Sequence, residues 1–122
     1  MIISYKQAYW YTNLANKPKR PIQLIVIHSM EAAEKGQTAE NVANYFARGC
    51  PDSNGTLRKA SAHFNIDADS IVQSVQCRDV AYAAPNANRN GIHLEHAGYA
   101  RQTTSQWMDT YSHQMLVRSA AL

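Results

Sequence analysis

Four consecutive apolar, β-favouring residues, Leu24 to Ile27, stand out from polar surroundings, and such a run predicts a buried strand across QLIVIHSM. His28 falls at the C-terminal end of that strand, on the same side as Val26 and Leu24. In TAENVANYFARG the period lengthens. Val42, Tyr45 and Phe46 share one helical face, Thr38 can cap the first turn, Glu40 suits it, and Gly49 supplies a stop. CPDSNGTLRK, with Pro51, Asn54 and Gly55, reads as a turn-rich loop. SAHFNID and SIVQSVQ are two short strands joined by a polar turn around Asp67 to Ser70, the pattern of a hairpin. DVAYAA is a short apolar segment and PNANRN a loop. GIHLEHAG is a further strand, in which Ile92, Leu94 and His96 alternate with His93 and Glu95. From about Thr104 the helical period returns, with Met108, Tyr111, Met115 and Leu116 on one face. It runs through VRSAAL to the last residue without a glycine stop or a polar exit. This order of elements predicts an α/β fold with a mixed central β-sheet flanked by helices.

No repeat, low-complexity tract or linker divides the 122 residues, so a single domain spanning 1–122 is expected, with residues 1–20 wrapping it as an irregular arm. An apolar fraction of 45% and a charged fraction of 17% belong to a folded globular chain rather than a disordered one. No run approaches the roughly 18 apolar residues of a membrane span. The N-terminus lacks a basic region followed by an apolar core, so no signal peptide is expected, which suits a cytoplasmic or phage protein. The net charge of +3 is compatible with an anionic partner such as a wall polymer. Nucleic acid is disfavoured. The densest basic cluster is Lys17, Lys19 and Arg20, the other cations are scattered, and the aromatics do not interleave with them. Cys50 and Cys77 lack zinc-ribbon spacing and are read as two reduced thiols, a disulfide being the alternative.

The candidate chemistry lies on two strands. His28, at a strand's C-terminal end, stands where α/β folds commonly place ligand-binding groups, or it is a satisfied, partly buried histidine. Glu95 sits among apolar neighbours. Buried, its pKa would rise toward that of a general base; at an exposed edge it would be an ordinary glutamate. His93 and Glu95, at i and i+2, share a face and could share a hydrogen bond or an ion, with His96 on the other face. His63 and His113 are further candidates, but none has HExxH-type spacing.

Taken together, IVIHSMEAAE, SAHFNIDADSIVQSVQ, RDVAYAAPNANRNGI and LEHAGYARQ resemble the zinc-dependent N-acetylmuramoyl-L-alanine amidases. This is the type-2 amidase fold of phage endolysins, bacterial cell-wall amidases and peptidoglycan recognition proteins. The resemblance covers about Leu24 to the end, through five motifs in the family's order. It implies a hydrolase that cuts the N-acetylmuramoyl-L-alanine amide bond of peptidoglycan with zinc-activated water. His28 matches the first zinc ligand and Glu95 the expected general base. His63 matches a histidine that usually packs rather than ligates. Tyr82, Asn86 and Asn88 would line the groove for glycan and stem peptide. A phage enzyme of this kind would wait in the host cytoplasm before release to the wall.

Three departures qualify these expectations. The family's second histidine and its Asp or Cys ligand follow the last helix, and no matching residues occur here, so the domain is expected to be C-terminally truncated. The A-W-H-A-like segment reads Ala81-Tyr82-Ala83-Ala84, and His93 replaces the glycine of the I-G-I-E strand. The chain could therefore be an enzyme completed elsewhere, a peptidoglycan-binding or regulatory module, or a protein that rebuilt its site with His93 as a second ligand. The unfinished final helix, with Met115, Leu116 and Leu122, suggests self-association or a completing chain.

Overall fold

The computed structural model describes residues 1–122 and places five strands in one sheet. They are β1 (Ser4–Tyr5), β2 (Leu24–Ser29), β3 (Phe64–Ile66), β4 (Ile71–Gln73) and β5 (Gly91–His96), in the spatial order β1-β4-β3-β5-β2. Three helices accompany them: α1 (Thr38–Ala47), α2 (Thr104–Trp107) and α3 (Thr110–Ala121). β2, β5 and β3 run parallel, β3 and β4 form the antiparallel hairpin, and β1 joins β4 in parallel. The sheet is mixed and helix-flanked, as its sequence predicts.

Side-chain alternation splits the sheet into two faces with different tasks. Phe64, Ile66, Ile71 and Leu94 pack with Ala97 and Met115, so α3 covers the β3–β4 side of one face. On the other face Val72 packs beneath Ala39 and Ala43, which seats α1 over β3 and β4. The side chains of Val26, His28, His93 and Glu95 belong to this second face, toward β5 and β2. A third cluster, Ala8, Phe46, Cys50, Ala62, Val75 and Ala81, ties the N-terminal arm to the C-terminal half of α1.

Four expectations change. β2 is not a buried strand: it is the sheet's edge, and Ile25 and Ile27 remain 71% and 63% exposed. A continuous apolar run cannot distinguish a central strand from an edge strand whose apolar side chains line a surface cleft. Residues 1–20 are not wholly irregular, because β1 adds to the sheet and the arm continues along β4 through Lys6 N–H donating to Gln73 O and Ala8 N–H to Ser74 O, both 2.9 Å. The last helix is two helices. Thr103 and Gln106 form a reciprocal capping box on α2, and Asp109 accepts from Ser112 N–H at 2.8 Å to start α3. Met108 consequently lies in the break and is exposed, while Met115 is buried and Tyr111 half-buried. Finally, Thr38 is the first helical residue of α1 and does not cap it. Asp67, from the end of β3, accepts the Ala39 N–H at 2.8 Å and serves as a cap from across the fold.

Candidate active site

Parallel register carries the site. Pairing of β2 with β5 sets His28 opposite Glu95 and Val26 opposite His93; pairing of β5 with β3 sets Asn65 on the other flank of Glu95. Strand alternation then directs His28, His93, Glu95 and Asn65 to one face. Glu95 is half-buried, and its Oε2 is sealed from solvent without a donor. Burial pushes its carboxyl up to about 7, with the charge of Glu31 adding to the effect. Asn65 is fully buried beside it. Its amide nitrogen donates to Val72 O at 3.2 Å and Ser74 Oγ at 2.8 Å, which leaves Oδ1 sealed and unpaired.

Three histidines form a connected group. His28 Nε2 lies 2.9 Å from His93 Nδ1, and His93 Nε2 lies 3.2 Å from Ala87 O. The backbone N–H of His93 donates to His63 Nδ1 at 3.0 Å, and the His63 and His93 rings stack with centroids 5.9 Å apart. Because His63 Nδ1 accepts, its proton sits on Nε2, 3.0 Å from Asp79 O. Burial holds His63 down at about 4, with the Arg20 guanidinium adding to it, so this ring is neutral and serves as scaffold. Burial also lowers His28 and His93 from the ordinary histidine value.

Arg20 closes the group from behind. It is buried, donates to Cys77 O at 2.7 Å, Gly91 O at 3.0 Å and Arg89 O at 3.1 Å, and lies 3.1 Å from His63 Nε2. As part of KPKR it reads as a solvated charge, and no local signal in the sequence marks it as a buried clamp. Gly91 is equally specific. A Cβ there would lie 2.6 Å from Ala87 O and 3.1 Å from His93 Nε2, so only glycine lets the 85–90 loop approach the histidines.

The residues expected to line a substrate groove are placed separately. Asn88 Oδ1 accepts from Ala83 N–H at 3.0 Å and Ala84 N–H at 2.7 Å, which folds the loop on itself. The Tyr82 hydroxyl lies 2.7 Å from Thr12 Oγ1 and ties the loop to the N-terminal arm. Asn86 is exposed on the loop's surface. An apolar cleft of about 520 Å³, lined by Ile25, Ile27, Phe64, Ile92, Leu94 and Leu122, lies on the opposite face and takes no part in this arrangement. Both cysteines are free, Cys50 buried and Cys77 exposed.

His28 is half-buried and keeps one ring nitrogen, Nδ1, without a partner in the chain and not sealed from solvent, so it can serve as one metal ligand. A catalytic zinc takes three protein ligands. The one trio of His, Cys, Asp or Glu ligand atoms close enough together for a single ion is Glu40, Asp67 and Asp69, not His28 and its neighbours. There Asp67 is already engaged, accepting from Ala39 N–H, Asp69 N–H and Ser70 N–H at 2.8, 3.1 and 2.8 Å. The residues around His28 therefore do not complete a zinc shell.

The family model described as N-acetylmuramoyl-L-alanine amidase matches residues 18–122. Among solved structures, a mutant form of PlyL shares 17% identity over 99% of this chain and 70% of that one, with a TM-score of 0.65. The PlyG catalytic domain shares 16% identity over 98% of this chain and 66% of that one, with a TM-score of 0.63. A mutant endolysin from Bacillus subtilis shares 21% identity over 87% of this chain and 67% of that one, with a TM-score of 0.58. At these identities the likeness establishes the fold. No curated protein sequence matches the chain.

Proposed function

The chain belongs to the N-acetylmuramoyl-L-alanine amidase family, and on that premise we propose that it acts on peptidoglycan by hydrolysing the amide between N-acetylmuramic acid and L-alanine. The observation that carries this reading is Glu95: a carboxyl sealed at one oxygen, without a donor, raised to about 7, and set opposite His28 in register. A group titrating near neutrality can both take and return a proton. Glu95 would accept a proton from the water attacking the lactyl carbonyl and return it to the departing alanine nitrogen. The carbon–nitrogen bond breaks, leaving a lactyl carboxylate and a free amine. The family typically depends on zinc, which polarises the carbonyl and activates the water. His28 is the position this chain offers to the metal, and the step assigned to Glu95 stands on Glu95 alone.

One observation favours a second reading. Because no three ligand atoms converge at His28, the chain could recognise peptidoglycan without cutting it. A single experiment separates the two. Purified chain and its Glu95→Gln variant are incubated with insoluble peptidoglycan, with and without added zinc, and both released α-amino groups and co-sedimentation are measured. Amine release that falls by roughly 100-fold or more in the variant supports hydrolysis. Co-sedimentation without release supports recognition. Neither release nor co-sedimentation contradicts both readings.

A further inference from the structure

We infer that His93 is a positioning residue that fixes the tautomer of His28, so that His28 presents a bare Nδ1 to solvent and acts only as an acceptor or ligand. Hydrogen-bond polarity passes from the 85–90 loop through His93 to His28.

A backbone carbonyl can only accept. Ala87 O, 3.2 Å from His93 Nε2, therefore places the His93 proton on Nε2 and leaves Nδ1 as a lone pair. That lone pair lies 2.9 Å from His28 Nε2, a distance at which one of the two nitrogens must carry a hydrogen. With His93 Nδ1 bare, His28 Nε2–H is the donor. A neutral His28 then has its remaining lone pair on Nδ1, the nitrogen that has no partner in the chain and is not sealed from solvent. The reverse polarity would set a bare His93 Nε2 against the Ala87 oxygen, two acceptors 3.2 Å apart. A doubly protonated His93 would satisfy both contacts, but the residue is fully buried with no carboxylate among its hydrogen-bond partners.

The carbonyl at the head of this chain is itself held in place. Asn88 Oδ1 gathers the Ala83 and Ala84 N–H groups, and Ala87 N–H donates to Ala84 O at 2.8 Å. Gly91 supplies the space that lets Ala87 O reach the ring. The backbone N–H of His93, donating to His63 Nδ1 at 3.0 Å, anchors the strand behind it. The loop thus sets His93, and His93 sets His28. A histidine ligand generally donates its other ring N–H to a group that fixes its orientation, and here a second histidine has that role. His93 is on this account the partner of His28 and not a second ligand, since both its ring nitrogens are already engaged.

The inference concerns the site assigned above to amide hydrolysis, but its test does not depend on cleavage. Nitrogen NMR of the full chain, uniformly labelled with nitrogen-15, reads the protonation of each ring nitrogen. The expected result near neutral pH is pyrrole-type Nε2 and pyridine-type Nδ1 in both His28 and His93. A nitrogen–nitrogen coupling across the His28 Nε2–His93 Nδ1 hydrogen bond should accompany it. His93→Asn, whose carbonyl oxygen stands near the position of Nδ1, should retain a slowly exchanging His28 Nε2–H resonance. His93→Phe, which keeps a ring but no acceptor, should lose that resonance to exchange with water. A proton on Nδ1 of either ring, or the same His28 signal in both variants, would overturn the inference. Should His93→Phe fail to fold, the wild-type ring assignments decide alone.

Discussion

Replacing Glu95 with glutamine should change how stability depends on pH, and the structure sets the size of the change. The Glu95 carboxyl rises from 4.5 to about 7 on folding because burial disfavours its charge and Glu31 repels it. A pKa raised in the folded state means that the folded chain holds its proton more tightly than the unfolded chain does. Below pH ~4.5 both states are protonated and the group is neutral to stability. As pH climbs, the unfolded state releases its proton first, and the folded state loses stability until the folded pKa is passed. At about 1.4 kcal/mol per unit, the loss is about 3 kcal/mol between pH ~4.5 and ~8. Glutamine keeps the shape and cannot titrate. Urea unfolding of both proteins at several pH values isolates the term, because His28, His63, His93 and His96 titrate in both and cancel in the comparison. The variant should gain about 3 kcal/mol on the wild type across that range. Glu31→Gln should recover a smaller part of it. Stability curves of wild type and Glu95→Gln that stay parallel within ~0.5 kcal/mol would refute the burial argument and remove the ground for calling Glu95 a base.

Three further changes probe the frame around the site. Asp67→Ala removes the acceptor of the Ala39, Asp69 and Ser70 N–H groups and should cost about 2–3 kcal/mol in urea unfolding, with the helical signal of α1 most affected. A loss below ~0.5 kcal/mol would show that α1 does not depend on this cap. Gly91→Ala sets a Cβ 2.6 Å from Ala87 O and should cost about 1–3 kcal/mol while shifting the amide resonances of the 85–90 loop and His93. Ile27→Lys should change stability by no more than ~0.5 kcal/mol, since Ile27 is 63% exposed on the edge strand; a loss of ~2 kcal/mol would show that this face is covered in solution.

Much of this architecture is legible along the chain because it rests on local periodicity. Period two places His93 and Glu95 together on β5, and helical spacing with Gly49 as a stop outlines α1. The β3–β4 hairpin follows from two β-rich runs around a polar turn. What the chain conceals depends on partners distant in sequence. Whether β2 is central or an edge depends on which strand lies beside it, and Leu24 to Ile27 look the same in either place. Arg20 is a buried clamp only because Cys77, Arg89 and Gly91 offer their carbonyls, 57 to 71 residues away. Asn65 carries no mark of its burial between Val72 and Ser74, and nothing in HLEH announces that His93 is engaged by Ala87 and His28. The break at Met108–Asp109 was readable in principle. Thr103 with Gln106 and then Asp109 are two helix-start signals in succession, and the continuous apolar spacing masks them.

The bond that is cut tests the assigned chemistry most directly. Peptidoglycan digested with the purified chain, with and without added zinc, can be labelled at every new amino terminus and resolved by mass spectrometry. Hydrolysis at the proposed amide yields L-alanine as the sole new N-terminal residue, on peptides freed of sugar, and Glu95→Gln abolishes it. A different new N-terminus, a new reducing sugar end, or an undiminished yield from Glu95→Gln would contradict it.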